Sequence, residues 1–455
     1  MPNLFAYLML WIWPVFIYIL IKRYPINHAV LMAFVLSVLF LPIITIDPPF
    51  LPPLNKETIT SLSLFVFLIV SGKRLAIFKK GMVRNFLFLF FFAAIISNEL
   101  NDFPIVVGEL IIPALKPYDT FSTFIRYTLD FMPFFLGRRF LNDFIDNEFI
   151  FSYMAKVGLF YSFLMLFEIR MSPQLHTLVY GFSATDFIQQ IRAGGYRPVV
   201  FVGHGLPMAF LFFTFLTGVF ALLKNKVRFT QFSTVFVVCY MVMVLFFCKT
   251  WSAILYTLVV GLAMFLFSPR KQVQIAMSIV CIFLMFPISR ILDVFPIDGI
   301  IEQVNELSSD RAESLNFRFK NEDILLDKAM ERPWFGWSGW GRNRVFDKKG
   351  KDLSVTDGKW ILLLGINGIV GFVAYYGILI LPIVYAKKTI RKVKEYRYQV
   401  YIAAQVLILA ICLIDSIPNT NMWALHFLLA GSLLGQCEEF NRKQAAMNLN
   451  KKTIK

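Results

Sequence analysis

Uninterrupted apolar runs, each closed by a short polar stretch, repeat along the whole chain. They predict spans near 4–21, 28–46, 58–72, 84–97, 119–137, 149–168, 199–223, 231–248, 252–268, 273–293, 360–386, 399–415 and 420–436. Crossing hydrocarbon as a helix takes about 20 mostly apolar residues. Lipid cannot satisfy open backbone groups, so runs such as FLFLFFFAAII at 86–96 must be helical. A transmembrane barrel would alternate instead. The pattern predicts an all-α polytopic membrane protein of 12–13 transmembrane helices, twelve if one run is interfacial.

One polar segment is much longer than the rest. Residues 294–358 separate the tenth span from the eleventh, and they hold SLNFRFKNEDILLDKAMERPWFGWSGWGRNRVF before a membrane helix reading TDGKWILLLGINGIVGF. From Ser314 to Met330, the residues Leu315, Phe319, Leu325, Leu326 and Ala329 recur at roughly helical spacing, which predicts an amphipathic helix on the membrane surface. Pro333 ends it, and the GWSGWG run predicts a tight turn with Trp334, Trp337 and Trp340 at interface depth. The chain therefore divides into 1–293 (ten helices with short loops), 294–358 (one large extracytoplasmic loop), 359–437 (three helices) and 438–455, a disordered basic cytoplasmic tail against anionic headgroups. The first span has no charge ahead of it and no small-residue cleavage site after it, so it reads as a retained helix.

Composition agrees, with 58% hydrophobic residues and 51 Phe. A net charge of +16 raises nucleic acid as a partner, but its placement argues against that class. Lys and Arg gather at Lys22/Arg23, Lys73 to Arg84, Arg138/Arg139, Lys224 to Arg228, Arg270/Lys271, Lys387 to Arg397 and the tail, alternating with poorly basic loops. That is the positive-inside pattern. It places the N-terminus outside, the C-terminus in the cytoplasm, and the loops 98–118, 169–198 and 294–358 on the external face. The large loop is external yet rich in Lys and Arg, an exception that points to an anionic ligand there. Five cysteines show no paired spacing, which gives no disulfide framework and no thiolate metal site. No HExxH or P-loop occurs, so metal and nucleotide chemistry have no support, and no cofactor is expected.

Several residues are candidates for chemistry, each with a plainer alternative. Arg318 lies on the predicted surface helix near Arg311, Lys320, Arg332, Arg342 and Arg344, and guanidinium groups bind phosphate in a bidentate fork. The alternative is a basic surface drawn to lipid headgroups. Arg197 and His204, in GGYRPVVFVGHGLP, enter a span from outside, where an ionisable group is costly unless used or paired. A neutral His204 satisfied by a backbone carbonyl is the alternative. Asp357 stands where it can cap the following helix, and Gly365, Gly368 and Gly371 allow close helix packing. Arg126 and Asp130 share one helix face at i,i+4 and are best read as a structural ion pair, although Arg126 lies in the outer half, where a substrate could reach it.

Taken in order, GYRPVVFVGHGLP, CKTWSAIL, SLNFR, ERPWFGWSGWG and TDGKWILLLGINGIVGF make residues 190–375 resemble the O-antigen polymerase and ligase family of bacterial membrane glycosyltransferases (Wzy/WaaL-type). The resemblance implies a GT-C-like architecture in the bacterial inner membrane and an undecaprenyl-diphosphate-linked glycan as substrate, with a flippase and a chain-length regulator as partners. A sugar hydroxyl attacks the anomeric carbon and the diphosphate leaves, its charge taken by arginine. It implies diphosphate binding by Arg192, Arg197, Arg318, Lys249 and Arg126, and catalysis by Arg318 with Asp357 or His204 as base. Arg192 and Gly203 enclose ten residues, as in Arg-containing loops of some polysaccharide polymerases. Two departures stand out: Asp357 replaces the histidine of family ligases, and Trp251 stands where they carry arginine, with Lys249 two residues away. A polymerase joining repeat units therefore fits better than a ligase acting on lipid A core. A transporter of lipid-linked sugars would show inverted repeats or two matched broken helices, and a non-catalytic envelope scaffold is the remaining class.

Overall fold

The computed structural model describes residues 1–48, 52–73, 81–192, 194–355 and 357–453. Its helices are α1 (Leu4–Arg23), α2 (Ile26–Phe40), α3 (Lys56–Val70), α4 (Met82–Glu99), α5 (Pro117–Phe140), α6 (Asp146–Met171), α7 (Leu175–Tyr180), α8 (Gly205–Lys224), α9 (Thr234–Phe247), α10 (Trp251–Leu266), α11 (Pro269–Ile291), α12 (Ile297–Leu307), α13 (Ser309–Met330), α14 (Lys359–Thr389), α15 (Tyr396–Asp415) and α16 (Ala424–Thr453). Two antiparallel hairpins complete it: β1 (Ile105–Val107) with β2 (Leu110–Ile112), and β3 (Ile191–Arg192) with β4 (Gly195–Tyr196). Each of the thirteen predicted spans coincides with a helix, and the chain is an all-α polytopic membrane protein. Seven helices (α1, α4, α6, α8, α11, α14 and α15) are individually long and apolar enough to cross a membrane, and α2, α9 and α10 are shorter apolar helices.

The most enclosed helices are α8 and α15, with the others packed around them. The tightest crossing is between α5 and α16, and it is made by glycine. A Cβ at Gly431 would lie 1.9 Å from the Phe134 carbonyl oxygen, one at Gly435 2.4 Å from that of Arg138, and one at Gly137 2.1 Å from that of Leu428. Gly431 and Gly435 form a GxxxG face, which lets backbones meet where lipid offers no hydrophobic drive. At the end of this crossing, Glu438 accepts two hydrogen bonds from Arg138, at 3.1 and 2.6 Å.

The tail differs from expectation. Helix α16 runs on to Thr453, so the segment expected to be disordered is helical through the described residues. Anchors near its start explain this: Asn441 donates to Thr389 Oγ1 and Cys437 O, and Lys443 reaches Asp143. The basic run Lys73 to Arg84 lies partly outside the described residues, as do the last two residues of the chain.

Consecutive helices alternate in direction, which gathers the loops at two ends. One end holds the paired charges Arg138–Glu438, Arg397–Glu148 and Lys443–Asp143. The other end collects the N-terminus, the hairpins and residues 292–358. There Asn3 donates to Val179, Arg332 donates to Leu100, and Gly350 sits against Leu110.

Helix α14 is interrupted. Gly368 has φ 63° and ψ −172°, which breaks the helix within its membrane-spanning part. The groups freed by the break bond to the loop before it: Trp337 N to Gly365 O (2.8 Å), Ser338 N to Ile366 O (2.9 Å), Ile369 N to Pro333 O (2.7 Å) and Val370 N to Trp334 O (3.2 Å). Non-helical backbone at membrane depth is tolerated only where protein satisfies it, and the GWSGWG run does so here. The glycines read as packing residues thus include one, Gly368, whose role is to stop the helix. Of the tryptophans expected at the interface, Trp334 and Trp340 are exposed, whereas Trp337 is buried and donates to Lys328 O at 2.7 Å.

Candidate functional site

Helix α13 carries Arg318, and two clamps fix it. Arg290, at the end of α11, donates to Glu322 at 2.7 Å and to Asp323 at 2.5 Å and stacks on Phe319. Glu322 also accepts from Trp360 of α14 at 3.2 Å. The predicted amphipathic helix is therefore seated on α11 and α14, with Leu325, Leu326 and Ala329 buried in protein rather than laid on lipid. Asn321 accepts from Val355 N at 3.2 Å, which draws the chain before α14 across the face of α13. That brings Asp357 to Arg318.

Asp357 does not cap α14. The N-cap residue is Gly358, without any side-chain cap, and the first amides of the helix donate to Asn419 and Ser416 carbonyls instead. Asp357 Oδ2 stands 3.9 Å from Arg318 Nε, too long for a hydrogen bond and close enough for a charge pair. Arg318 otherwise donates only a long 3.4 Å bond to Pro418 O among the described residues. With side chains 38% and 46% open, both face a cavity of about 170 Å3 lined by Leu315, Phe317, Asn321, Ile361 and Ile417 among others.

The segment leading into α8 arrives at the same place because a buried carboxylate holds it. Glu168, near the end of α6, accepts from Val199 N and Val200 N, both at 2.7 Å, and from Leu175 N at 2.9 Å. Gln190 O accepts from Arg197 N, and Gln190 Oε1 accepts from Gly205 N, which ties the β3–β4 hairpin to the helix start. Arg197 then donates to Lys249 O at 3.3 and 3.4 Å, and the Lys249 ammonium lies against Gly195.

Arg197 is held down to about 10, first by burial and then by repulsion from Arg192 and Arg318. Burial, helped by Arg197 and Arg192, likewise lowers His204, while Asp357 opposes this. Arg192 and Arg318 thus lie within electrostatic reach of Arg197, and Arg192, Arg197 and Asp357 within reach of His204. Lys249 adjoins them, and two further carboxylates near Arg318 are engaged elsewhere: Glu322, in the same cavity, by Arg290 and Trp360, and Asp415 by Asn419, Asn421 and Tyr256. His204 itself caps α8, its Nδ1 accepting from Leu206 N at 3.1 Å. A neutral ring that accepts at Nδ1 carries its proton on Nε2, so in this geometry His204 offers a donor and not a base.

Arg126 stands apart from this group. Its Nε lies 4.0 Å from Asp130, and its charged neighbours are Asp130 and Lys359. The two side chains are 62% and 44% open, and Arg126 lines a polar niche with Asn98, Ser338, Trp340 and Asn367 beside the break in α14. The sequence reading missed three residues near this niche. Lys56 donates to Val38 O and Phe201 O, Glu57 lies within electrostatic reach of Lys56, Asp130 and Lys359, and Lys359 follows Asp357 by two residues. Their signal was present, since an acid and two lysines sit at the starts of spans where ionisable groups are costly. No protein-family model matches the sequence, and no curated protein is significantly similar to it.

Proposed function

We propose that the chain is a polymerase of surface polysaccharide, joining polyprenyl-diphosphate-linked repeat units on the external face of a bacterial inner membrane. The observation that carries this reading is the gathering of three guanidinium groups, those of Arg192, Arg197 and the accessible Arg318, beside Lys249, at the end of the bundle opposite the paired basic loops. Such an excess of positive charge suits a diphosphate. Arg192, Arg197 and Arg318 bind its oxygens and take the charge that develops as the anomeric C–O bond breaks. The acceptor hydroxyl oxygen forms the new bond to the anomeric carbon, its proton passes to the Asp357 carboxylate, and polyprenyl diphosphate departs. His204 donates from Nε2 to a phosphate or sugar oxygen. Arg126 belongs to the acceptor side, where the niche with Asn98, Ser338 and Trp340 has the polar and aromatic character that sugars require.

Purified protein given only a lipid-diphosphate-linked repeat unit should produce a ladder of longer lipid-linked glycans on a gel. Asp357→Asn keeps the shape and removes the base, so the ladder should slow by about 100-fold; since Asp357 does not cap α14, the loss cannot be assigned to capping. Full activity in that variant would take the base role from Asp357. A ladder that needs added lipid A core would favour the ligase, and substrate crossing the bilayer unchanged would favour a transporter. The structure bears on the latter class, because α14 is the one interrupted helix among the described residues, and it has no matched partner.

The sidedness has its own check. Single cysteines at the exposed positions Ser309 and Lys349 should react with an impermeant thiol reagent in cells with a permeabilised outer membrane, once the five native cysteines are replaced. Reaction only after lysis would reverse the orientation and remove the external glycan from this site.

A further inference from the structure

A large cavity lies away from the site just described. It is a groove of about 820 Å3 walled by α4, α11, α14 and α16, reaching the end of the bundle where the basic loops gather. Its upper part is apolar, lined by Phe86, Leu284, Phe372, Ile380 and Val384. Gly377 makes room for it, since a Cβ there would lie 2.8 Å from the Phe86 ring. Its lower part changes character, with Lys388 and Lys392 from α14 and its end, and Asn441, Gln444 and Asn448 from α16. Among the described residues no carboxylate lines it.

That asymmetry is the argument. At this end Arg138, Arg397, Arg442 and Lys443 each have a carboxylate partner, whereas Lys388 and Lys392 have none among the described residues. Both lysines line the groove, Lys388 from α14 and Lys392 from the turn after it, and Lys392 is steadied by Asn441 Oδ1 at 3.2 Å. Asn441, Gln444 and Asn448 recur on one face of α16, so the helical tail supplies a row of amides opposite the two ammonium groups. An apolar trough closed by two uncompensated cations and hydrogen-bond donors matches a lipid with two acyl chains and an anionic phosphate headgroup.

We propose that this groove is a binding site for one anionic phospholipid of the leaflet at the basic end, with acyl chains between α4 and α11 and its phosphate on Lys388 and Lys392. The site is independent of the glycan chemistry proposed above. It also gives the tail helix a function, as the wall that carries the headgroup contacts.

Native mass spectrometry of the full-length protein in detergent, titrated with phosphatidylglycerol or phosphatidylcholine, tests the proposal. One phosphatidylglycerol should be retained in preference to phosphatidylcholine, and Lys388→Gln with Lys392→Gln should weaken it by about tenfold or more, because each lysine near a phosphate contributes appreciably. Lys387→Gln removes the same charge outside the groove and should leave binding unchanged. Val384→Trp, which fills the trough without altering charge, should lower retention as well. Equal retention of the two lipids would overturn the proposal, as would an equal loss in the Lys387 variant, which would mean only general attraction to a basic surface. Stronger retention of polyprenyl phosphate than of phosphatidylglycerol would assign the groove to a substrate tail instead.

Discussion

Replacing Arg318 by Lys should lower polymer formation by about 100-fold or more while leaving protein levels unchanged. The charge survives this change, so the expected loss tests geometry. A guanidinium fork can grip two phosphate oxygens at once, whereas an ammonium is a point charge. Arg318 is well placed for such a grip, because its position comes from the Arg290–Glu322–Trp360 clamp on α13 and not from its own contacts. Its bonds to Pro418 and Asp357 are long, so little is lost from the fold when the head group changes. Arg126→Lys is the natural comparison and should cost far less, since Arg126 pairs with one carboxylate on the same helix. Polysaccharide length on a gel, with protein measured by blot, reads both. Wild-type chain lengths in Arg318→Lys would reduce that residue to a surface charge.

Gly368→Ala should be the most damaging single substitution to stability, on the order of 3 kcal/mol or more. A Cβ there would stand 2.3 Å from the Trp334 carbonyl carbon and oxygen and 2.4 Å from Phe335 N, and these atoms belong to backbone that cannot rotate away. The residue is also left-handed in φ, which alanine adopts only under strain. Relief would require the loop 333–338 to withdraw, surrendering the bonds that satisfy the break. The same reasoning covers Gly336, where a Cβ would lie 2.7 Å from Gly365 O and Gly368 N. Thermal melting in detergent is the measurement. A Gly368→Ala protein that melts like wild type would mean that α14 can run straight, and the break would lose its structural meaning.

The helices were legible because lipid enforces a simple code of apolar run and polar punctuation, and every predicted span found one. The ends were less legible. The span expected from 199 begins at Gly205, because Glu168 captures the amides of Val199 and Val200 and keeps them out of the helix. Nothing local to that segment announces a carboxylate arriving from α6. The tail read as disordered for a similar reason: its sequence is basic and mostly polar, and its order comes from partners such as Thr389 and Asp143 far away in the chain. At the site, Arg318 stood out because it lies in a basic loop where the charge rule disfavours basic residues, Arg197 because it enters a span from outside, and Arg192 only through the family resemblance; in the structure Arg192 and Arg318 lie within electrostatic reach of Arg197. The place of Asp357 could not be read, since an acid just before a helix looks like a cap until the backbone shows Gly358 in that position.

The interruption at Gly368 also bears on how the protein enters its membrane. Residues 369–389 alone are long enough to span, while residues 359–367 cannot finish their hydrogen bonds without the GWSGWG run. That run is made earlier in the chain, so it must already have folded back before the first part of α14 can settle. Insertion of α14 is then a step of tertiary folding, and not a partition of one hydrophobic segment into lipid. Errors in the loop should appear first as failed insertion of the following helix.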